Sequence, residues 1–245
     1  FRSLWRGRDF IMTIFMAEMI GTLLLILLGD GVVANVVLKN SKGSNSGWMV
    51  ITTGWAIAVA VPALIFGSYS GAHFNPALTI AFAVIGKLDW SLVPIYLAGQ
   101  LIGGFLGAAL VFIQYYDQFK ATDNKADKLG VFATGPAVRN TTLNLISEII
   151  GTAVLVFGIL GIGAQDIASG LGTLFVGLLI WAIGLSLGGT TGYAINPARD
   201  LAPRIAHALL PIPDKGDSDW GYAWIPVIGP IVGGVLGALI YTMLV

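Results

Sequence analysis

Six apolar runs divide this chain, at residues 11–37, 49–67, 92–115, 143–162, 171–187 and 222–244, with most polar positions gathered between them. Each is close to or above the roughly 20 residues that an α-helix needs to cross about 30 Å of hydrocarbon. Two further segments, 77–85 and 198–210, are too short to cross, and the second is interrupted by Pro203. Both start at the same tripeptide, Asn75, Pro76, Ala77 and then Asn196, Pro197, Ala198. Proline is well placed in a helix's first turn, where its missing N–H costs nothing. The pattern predicts an all-α membrane protein: six transmembrane helices plus two re-entrant half-helices that dip into the bilayer and stop.

The two halves of the pattern echo each other. Glu18, Gly21 and Thr22 return 130 positions later as Glu148, Gly151 and Thr152, and Gly103, Gly104, Leu106 and Gly107 as Gly233, Gly234, Leu236 and Gly237. A single transmembrane domain over 1–245 is expected, with a first repeat at about 9–116, a second at about 141–245, and a mixed-charge surface loop at about 117–140 between them. Each repeat has three full spans, an odd number, so the second must enter from the opposite face as an inverted repeat. Arg2, Arg6 and Arg8 before the first span favour a cytoplasmic N-terminus in a multi-pass cell-membrane protein. The lysines of the opposite side, among them Lys39, Lys120, Lys125, Lys128 and Lys215, count against it. Pairs such as Gly103/Gly107 and Gly233/Gly237 read as packing positions where backbones approach closely.

Composition supports lipid as the solvent. Hydrophobic residues are 56% and charged residues 11% of the chain, with a mean hydropathy of +0.84, against roughly 25% charged in soluble domains. The formal net charge of zero speaks against nucleic-acid partners. With no cysteine and two histidines, His73 and His207, no thiol nucleophile, disulfide framework, catalytic metal or cofactor is expected, and no nucleophile–base pair suggests an enzyme. The first apolar run is too long for a cleavable signal.

Two half-helices entering from opposite faces meet near the midplane with their N-termini facing. Each N-terminus carries about half a positive charge, so the spot between them repels cations. Asn75 and Asn196 can cap these helices and also point an amide at a passing oxygen. The preceding stretches, 68–74 and 188–195, read as extended backbone presenting carbonyl acceptors. Neutral hydroxyl-bearing molecules can exchange their hydration for such a ladder, whereas bare ions cannot do so cheaply.

On these residues the chain resembles the major intrinsic protein family, the aquaporins and glycerol facilitators. The resemblance runs from Glu18 to the last span and rests on Ser70 through Ala77 and Gly192 through Asp200. It implies an aquaporin-like right-handed bundle with a pore in each subunit, assembled as a homotetramer. The family's outer selectivity filter falls on Trp55, Gly184, Tyr193 and Arg199. Tryptophan at the first position, glycine where water-selective members carry histidine, and Asp200 after the arginine are similar to glycerol facilitators. The departure is Tyr193, where phenylalanine is commoner; its hydroxyl adds polarity and narrows or re-tunes the filter. Physically, Trp55 and Tyr193 form an apolar corner for a carbon backbone, Arg199 offers fixed donors to hydroxyls, and Gly184 widens the passage.

The implied activity is passive conduction of glycerol and related small neutral solutes, with some water, excluding ions and protons. A water-selective channel remains an alternative, as does one tuned to neutral lactic acid, dihydroxyacetone, urea or hydrogen peroxide. A secondary transporter would also use inverted repeats and broken helices, with Glu18 and Glu148 as its only candidate coupling groups. The favoured role for both glutamates is support: intramembrane carboxylates accepting N–H groups of the two motif loops. His73 is expected to bond the first loop or line the inner pore, and Asp200 to pair with Arg204 or cap nearby. Asp30 is read as marking the watery end of the first helix, or as shaping the vestibule.

Overall fold

The computed structural model describes residues 7–245, with side chains from Asp9 onward. Arg2, Arg6 and the Arg8 side chain, on which the expected orientation leans, lie outside the described residues. Among the described residues ten α-helices follow in order: α1 (Gly7–Val37), α2 (Trp48–Ser70), α3 (Pro76–Val84), α4 (Val93–Gln114), α5 (Tyr116–Ala121), α6 (Lys125–Phe132), α7 (Thr141–Gly163), α8 (Leu171–Leu187), α9 (Pro197–Leu209) and α10 (Ile225–Leu244). Five of them are long and apolar enough to cross a membrane. The sixth span, α8, has 17 residues, about 26 Å at 1.5 Å per residue, and a turn at 188–191 prolongs it. The half-helices α3 and α9 each have proline in the first turn, and Pro203 lies inside α9 without ending it.

The molecule is polar within and apolar without. Ile113, Leu143 and Leu64 are 69%, 61% and 59% exposed, while Glu18, Thr22, Gln100, Glu148 and Thr152 are fully buried. Such an outer surface is stable only against hydrocarbon, where every backbone polar group must be satisfied inside the protein. The side from which α1 enters is called here the near side. Successive spans alternate in direction, so α3 opens to the near side and α9 to the far side.

Packing follows the inverted repeat. The two most extensive helix pairs are α1 with α4 and its counterpart α7 with α10, and α2 meets α8 between the halves. Each half-helix is held by the other repeat: α9 packs on α4, and α3 packs on α10. Glycine makes this closeness possible. A Cβ on Gly103 would lie 2.1 Å from the Met19 carbonyl oxygen, and one on Gly233 would lie 2.2 Å from that of Ile149. Met19 and Ile149 stand in the same 130-residue relation as the glycines.

The connector departs from the expected surface loop. It contains α5 and α6, and Phe119, Lys128, Val131 and Phe132 are buried. Its apolar positions sit too far apart to read as a span, but on two short helices they fold inward. Lys128 donates through Nζ to the Pro213 carbonyl at 2.6 Å, tying the connector to the segment after α9. Lys215 similarly donates to the carbonyls of His207, Ala208 and Leu210 at the C-terminus of α9, where a cation also suits the helix dipole.

Gly103→Ala is expected to destabilise the α1–α4 contact by about 1–3 kcal/mol, because the methyl meets backbone that cannot rotate away. The melting temperature in detergent should fall clearly. Gly31→Ala, whose methyl meets nothing within 4 Å, should leave it unchanged; equal responses would contradict the packing account.

Candidate functional site

The chain leaves α2 at Ser70 and turns back into the protein through 71–75; the second copy runs through 192–196. This corrects the expected extended ladders, since 68–70 are helical and the loops are not extended throughout. Gly71, Ala72 and Phe74 have φ of 84°, 53° and 49°; Gly192, Tyr193 and Ile195 have 79°, 38° and 45°. Left-handed geometry at non-glycine residues costs of order 1–3 kcal/mol each and persists only where its surroundings enforce it. The enforcing groups are the two buried glutamates. Glu18 accepts from His73 N at 3.0 Å, Phe74 N at 2.7 Å, Ser70 Oγ at 2.5 Å and Gln100 Nε2 at 2.8 Å. Glu148 accepts from Ala194 N at 3.0 Å, Ile195 N at 2.9 Å and Thr191 Oγ1 at 2.7 Å.

At the loop tips the two asparagines are tied across the repeat axis. Asn75 Nδ2 donates to the Ile195 carbonyl at 2.8 Å, and Asn196 Nδ2 donates to the Phe74 carbonyl at 2.7 Å. Their oxygens face the other way and cap the half-helices: Asn75 Oδ1 accepts from Ala77 N, and Asn196 Oδ1 from Ala198 N and Arg199 N. Capping and the midplane position are therefore served by one side chain in each loop. Each NH₂ keeps a second proton. Both asparagines line a cavity of about 420 Å³ that runs from Trp55, Tyr193 and Arg199, past the loop tips and His73, to the near-side turn between α7 and α8.

At the far end of this cavity the Arg199 guanidinium lies over the Trp55 ring, 4.1 Å from its centroid. Trp55 is 5% exposed, so it is a lining residue and not an interfacial anchor. Arg199 Nη1 donates to the Phe132 carbonyl at 3.3 Å and pairs with Asp30 Oδ1 at 3.4 Å. Asp30 thus differs from the expected watery position: it is fully buried behind the arginine. Gly184 is absent from the cavity wall. The space its side chain would fill holds Tyr193, whose Cζ would be 2.7 Å from an added Cβ. Trp48 packs edge-on against the same ring and donates Nε1 to the Gly184 carbonyl at 3.0 Å. The Tyr193 hydroxyl is buried and meets no hydrogen-bond partner among the described residues. The ring faces the cavity while its oxygen does not, contrary to the added polarity expected from sequence.

Asp200 is fully buried and bound on both oxygens. It receives Arg204 Nε at 2.9 Å on one, and Thr134 N and Oγ1, each at 2.7 Å, on the other. It thereby anchors the end of the connector beside α9. His73 Nδ1 lies 3.1 Å from Thr79 Oγ1. That hydroxyl already donates to the Asn75 carbonyl and accepts from Gln100 Nε2. Its single proton is used, so His73 donates here from Nδ1 and keeps Nε2 as an acceptor.

Sequence reasoning missed Ser70, Thr191, Gln100, Thr134 and Trp48. A signal existed for the first two, since both repeats place a hydroxyl five residues before the motif asparagine. The positions expected to form the filter also have counterparts in the opposite repeat at matching distances from the asparagines: Val176 for Trp55, Ala63 for Gly184, Ala72 for Tyr193 and Leu78 for Arg199. All four line the cavity on its near half, and none carries charge or aromatic character.

Comparison with known proteins agrees with this geometry. The family model described as major intrinsic protein matches residues 5–241. The chain is 61% identical over 233 residues to a probable glycerol uptake facilitator protein of Thermotoga maritima, covering 95% of this chain and 100% of that one. It is 57% identical to the glycerol uptake facilitator protein of Bacillus subtilis, over 94% of this chain and 84% of the relative. Among solved structures, the aquaglyceroporin from Plasmodium falciparum superposes with a TM-score of 0.83 at 30% identity, covering 94% and 95% of the two chains. With its inverted repeat, its paired asparagine loops and a match over nearly its whole length, the chain belongs to the major intrinsic protein family.

Proposed function

We propose that this protein is a passive channel for glycerol and related small neutral solutes, with water as a minor companion. The observation that carries this reading is the far end of the cavity. There an indole and a phenol ring supply apolar faces beside a guanidinium of which, among the described residues, Nη1 alone is engaged by protein acceptors. A polyol has the matching shape, carbon on one side and hydroxyls on the other. The relatives named as glycerol uptake facilitators and the aquaglyceroporin neighbour support the same solute class.

The physical sequence is one of replaced hydration. A solute sheds water at the rings, bonds to free donors of Arg199, then meets the second protons of Asn75 and Asn196. Two N–H groups of each loop are drawn to Glu18 and Glu148, which leaves carbonyls at 71–73 and 192–194 for hydroxyls on either side. Cations are repelled where the half-helix N-termini face one another at the asparagines, and ions of either sign find few charged groups along the path to replace their hydration. Glu18 and Glu148 are bound to the loops and absent from the cavity wall, which disfavours a coupling-ion site and hence a secondary transporter. Neutral lactic acid and the other small solutes remain arms of the flux test. The N-terminus is assigned to the cytoplasm, and the apolar girdle to lipid and to neighbouring copies in a homotetramer.

Stopped-flow light scattering on proteoliposomes tests this directly: glycerol permeability well above that of protein-free vesicles is expected, and water flux without glycerol flux would overturn it. Arg199→Val should raise leakage of cations relative to glycerol about tenfold or more, since it removes the positive group at the constriction and leaves the Asp30 carboxylate without its partner; unchanged cation leakage would count against the assigned filter. Gly184→Ala should push the Tyr193 ring toward the cavity and lower glycerol flux several-fold more than water flux, an overpacking effect, with Gly184→His more severe. Equal loss of both fluxes would mean that Gly184 does not act through Tyr193.

A further inference from the structure

Outside the filter and the loop supports, one buried charged group is left without an assigned task. Asp30 lies late in α1, is fully buried, and does not line the cavity. Arg199 is its sole hydrogen-bond partner among the described residues, through Oδ1; Oδ2 has none. The neighbouring carboxylate, Asp200, is committed to Arg204 and Thr134 and cannot serve Arg199 as well. A buried carboxylate without compensation is costly, so its position against a guanidinium needs a physical reason.

The repeat supplies a comparison within the molecule. The counterpart of Arg199 is Leu78, and the counterpart of Asp30, 130 positions on, is Leu160. Leu78 and Leu160 belong to one small apolar cluster with Ala81, Val156 and Ala238. Where one repeat has an arginine facing a carboxylate, the other has two leucines, and neither charge occurs without its partner.

We infer that Asp30 is a specificity-determining positioning residue that acts through Arg199. Its carboxylate offsets the guanidinium charge and draws Nη1 toward α1, so that the cation is held over the Trp55 ring with its other donors left for the lumen. The constriction then presents directional hydrogen-bond donors with little net positive charge, which suits a neutral hydroxyl-bearing solute and gives an anion no electrostatic invitation. This rests on the filter assigned under the proposed function, but its test uses water as the reference solute and so does not depend on glycerol being conducted.

The experiment compares nitrate influx with water influx in proteoliposomes for wild type, Asp30→Asn and the double variant Asp30→Leu/Arg199→Leu. Nitrate is chosen because it has no neutral form at working pH. Asp30→Asn leaves Arg199 uncompensated and should raise the nitrate-to-water ratio about tenfold, as expected for one unit charge removed close to the path. The double variant copies the Leu160/Leu78 pair and should bring the ratio back to within about twofold of wild type, as the same electrostatic account requires. An unchanged ratio in Asp30→Asn would overturn the proposal, because the carboxyl would then carry no charge felt at Arg199. A double variant as leaky as the single one would also overturn it, pointing to damaged packing. If Asp30→Asn does not give a monodisperse protein, Asp30→Ser serves for the same measurement. Wild-type vesicles that pass water but no glycerol would sink the glycerol reading and leave the nitrate comparison intact.

Discussion

A broken helix inside a bilayer leaves N–H and C=O groups that water cannot reach from the lipid side, and the rest of this structure answers that problem twice. Glu18 and Glu148 each gather two successive backbone N–H groups, and each asparagine caps its own half-helix while binding the opposite loop. Breaking either cross-bond would strand a buried carbonyl in a strained turn. The left-handed residues, the glutamates and the asparagines therefore act as one unit, and the open path through the protein is what remains on the side that the loops do not use for their own support.

Much of this was legible in sequence because it depends on period and repetition. The span boundaries at 37 and 187 coincide with the ends of α1 and α8, and both half-helices start at the expected prolines. Glu18 and Glu148 stood out since a carboxylate in an apolar run demands partners, and the loops were the natural source of N–H groups. What escaped is what only three-dimensional proximity reveals. Asp30 reads as the polar end of a long helix until α9 delivers Arg199 beside it. The connector reads as a polar loop because its buried side chains, Phe119, Lys128 and Phe132, are spread over two short helices with exposed charges between them.

The filter shows a subtler gap between residue type and role. Gly184 invites the idea of a widened passage, and Tyr193 the idea of an extra polar group at the wall. The structure joins the two: the missing side chain is a seat for the phenol, whose hydroxyl is directed into protein and away from the lumen. A tyrosine can thus present the same apolar face as a phenylalanine, with its orientation governed by Trp48 and the backbone of α8.

The cavity's two halves descend from the same pattern but differ in content, since Val176, Ala72 and Leu78 stand where the opposite half has Trp55, Tyr193 and Arg199, and Ala63 lines the wall where its counterpart Gly184 lies behind the tyrosine. With the proposed filter, discrimination is concentrated at one mouth. Such lopsidedness confers no preferred direction, because a conduit without an energy source must obey microscopic reversibility and pass equal traffic both ways at equal activity. Any net accumulation has to be imposed from outside the protein, by whatever removes or modifies the solute after it leaves the plain-walled end.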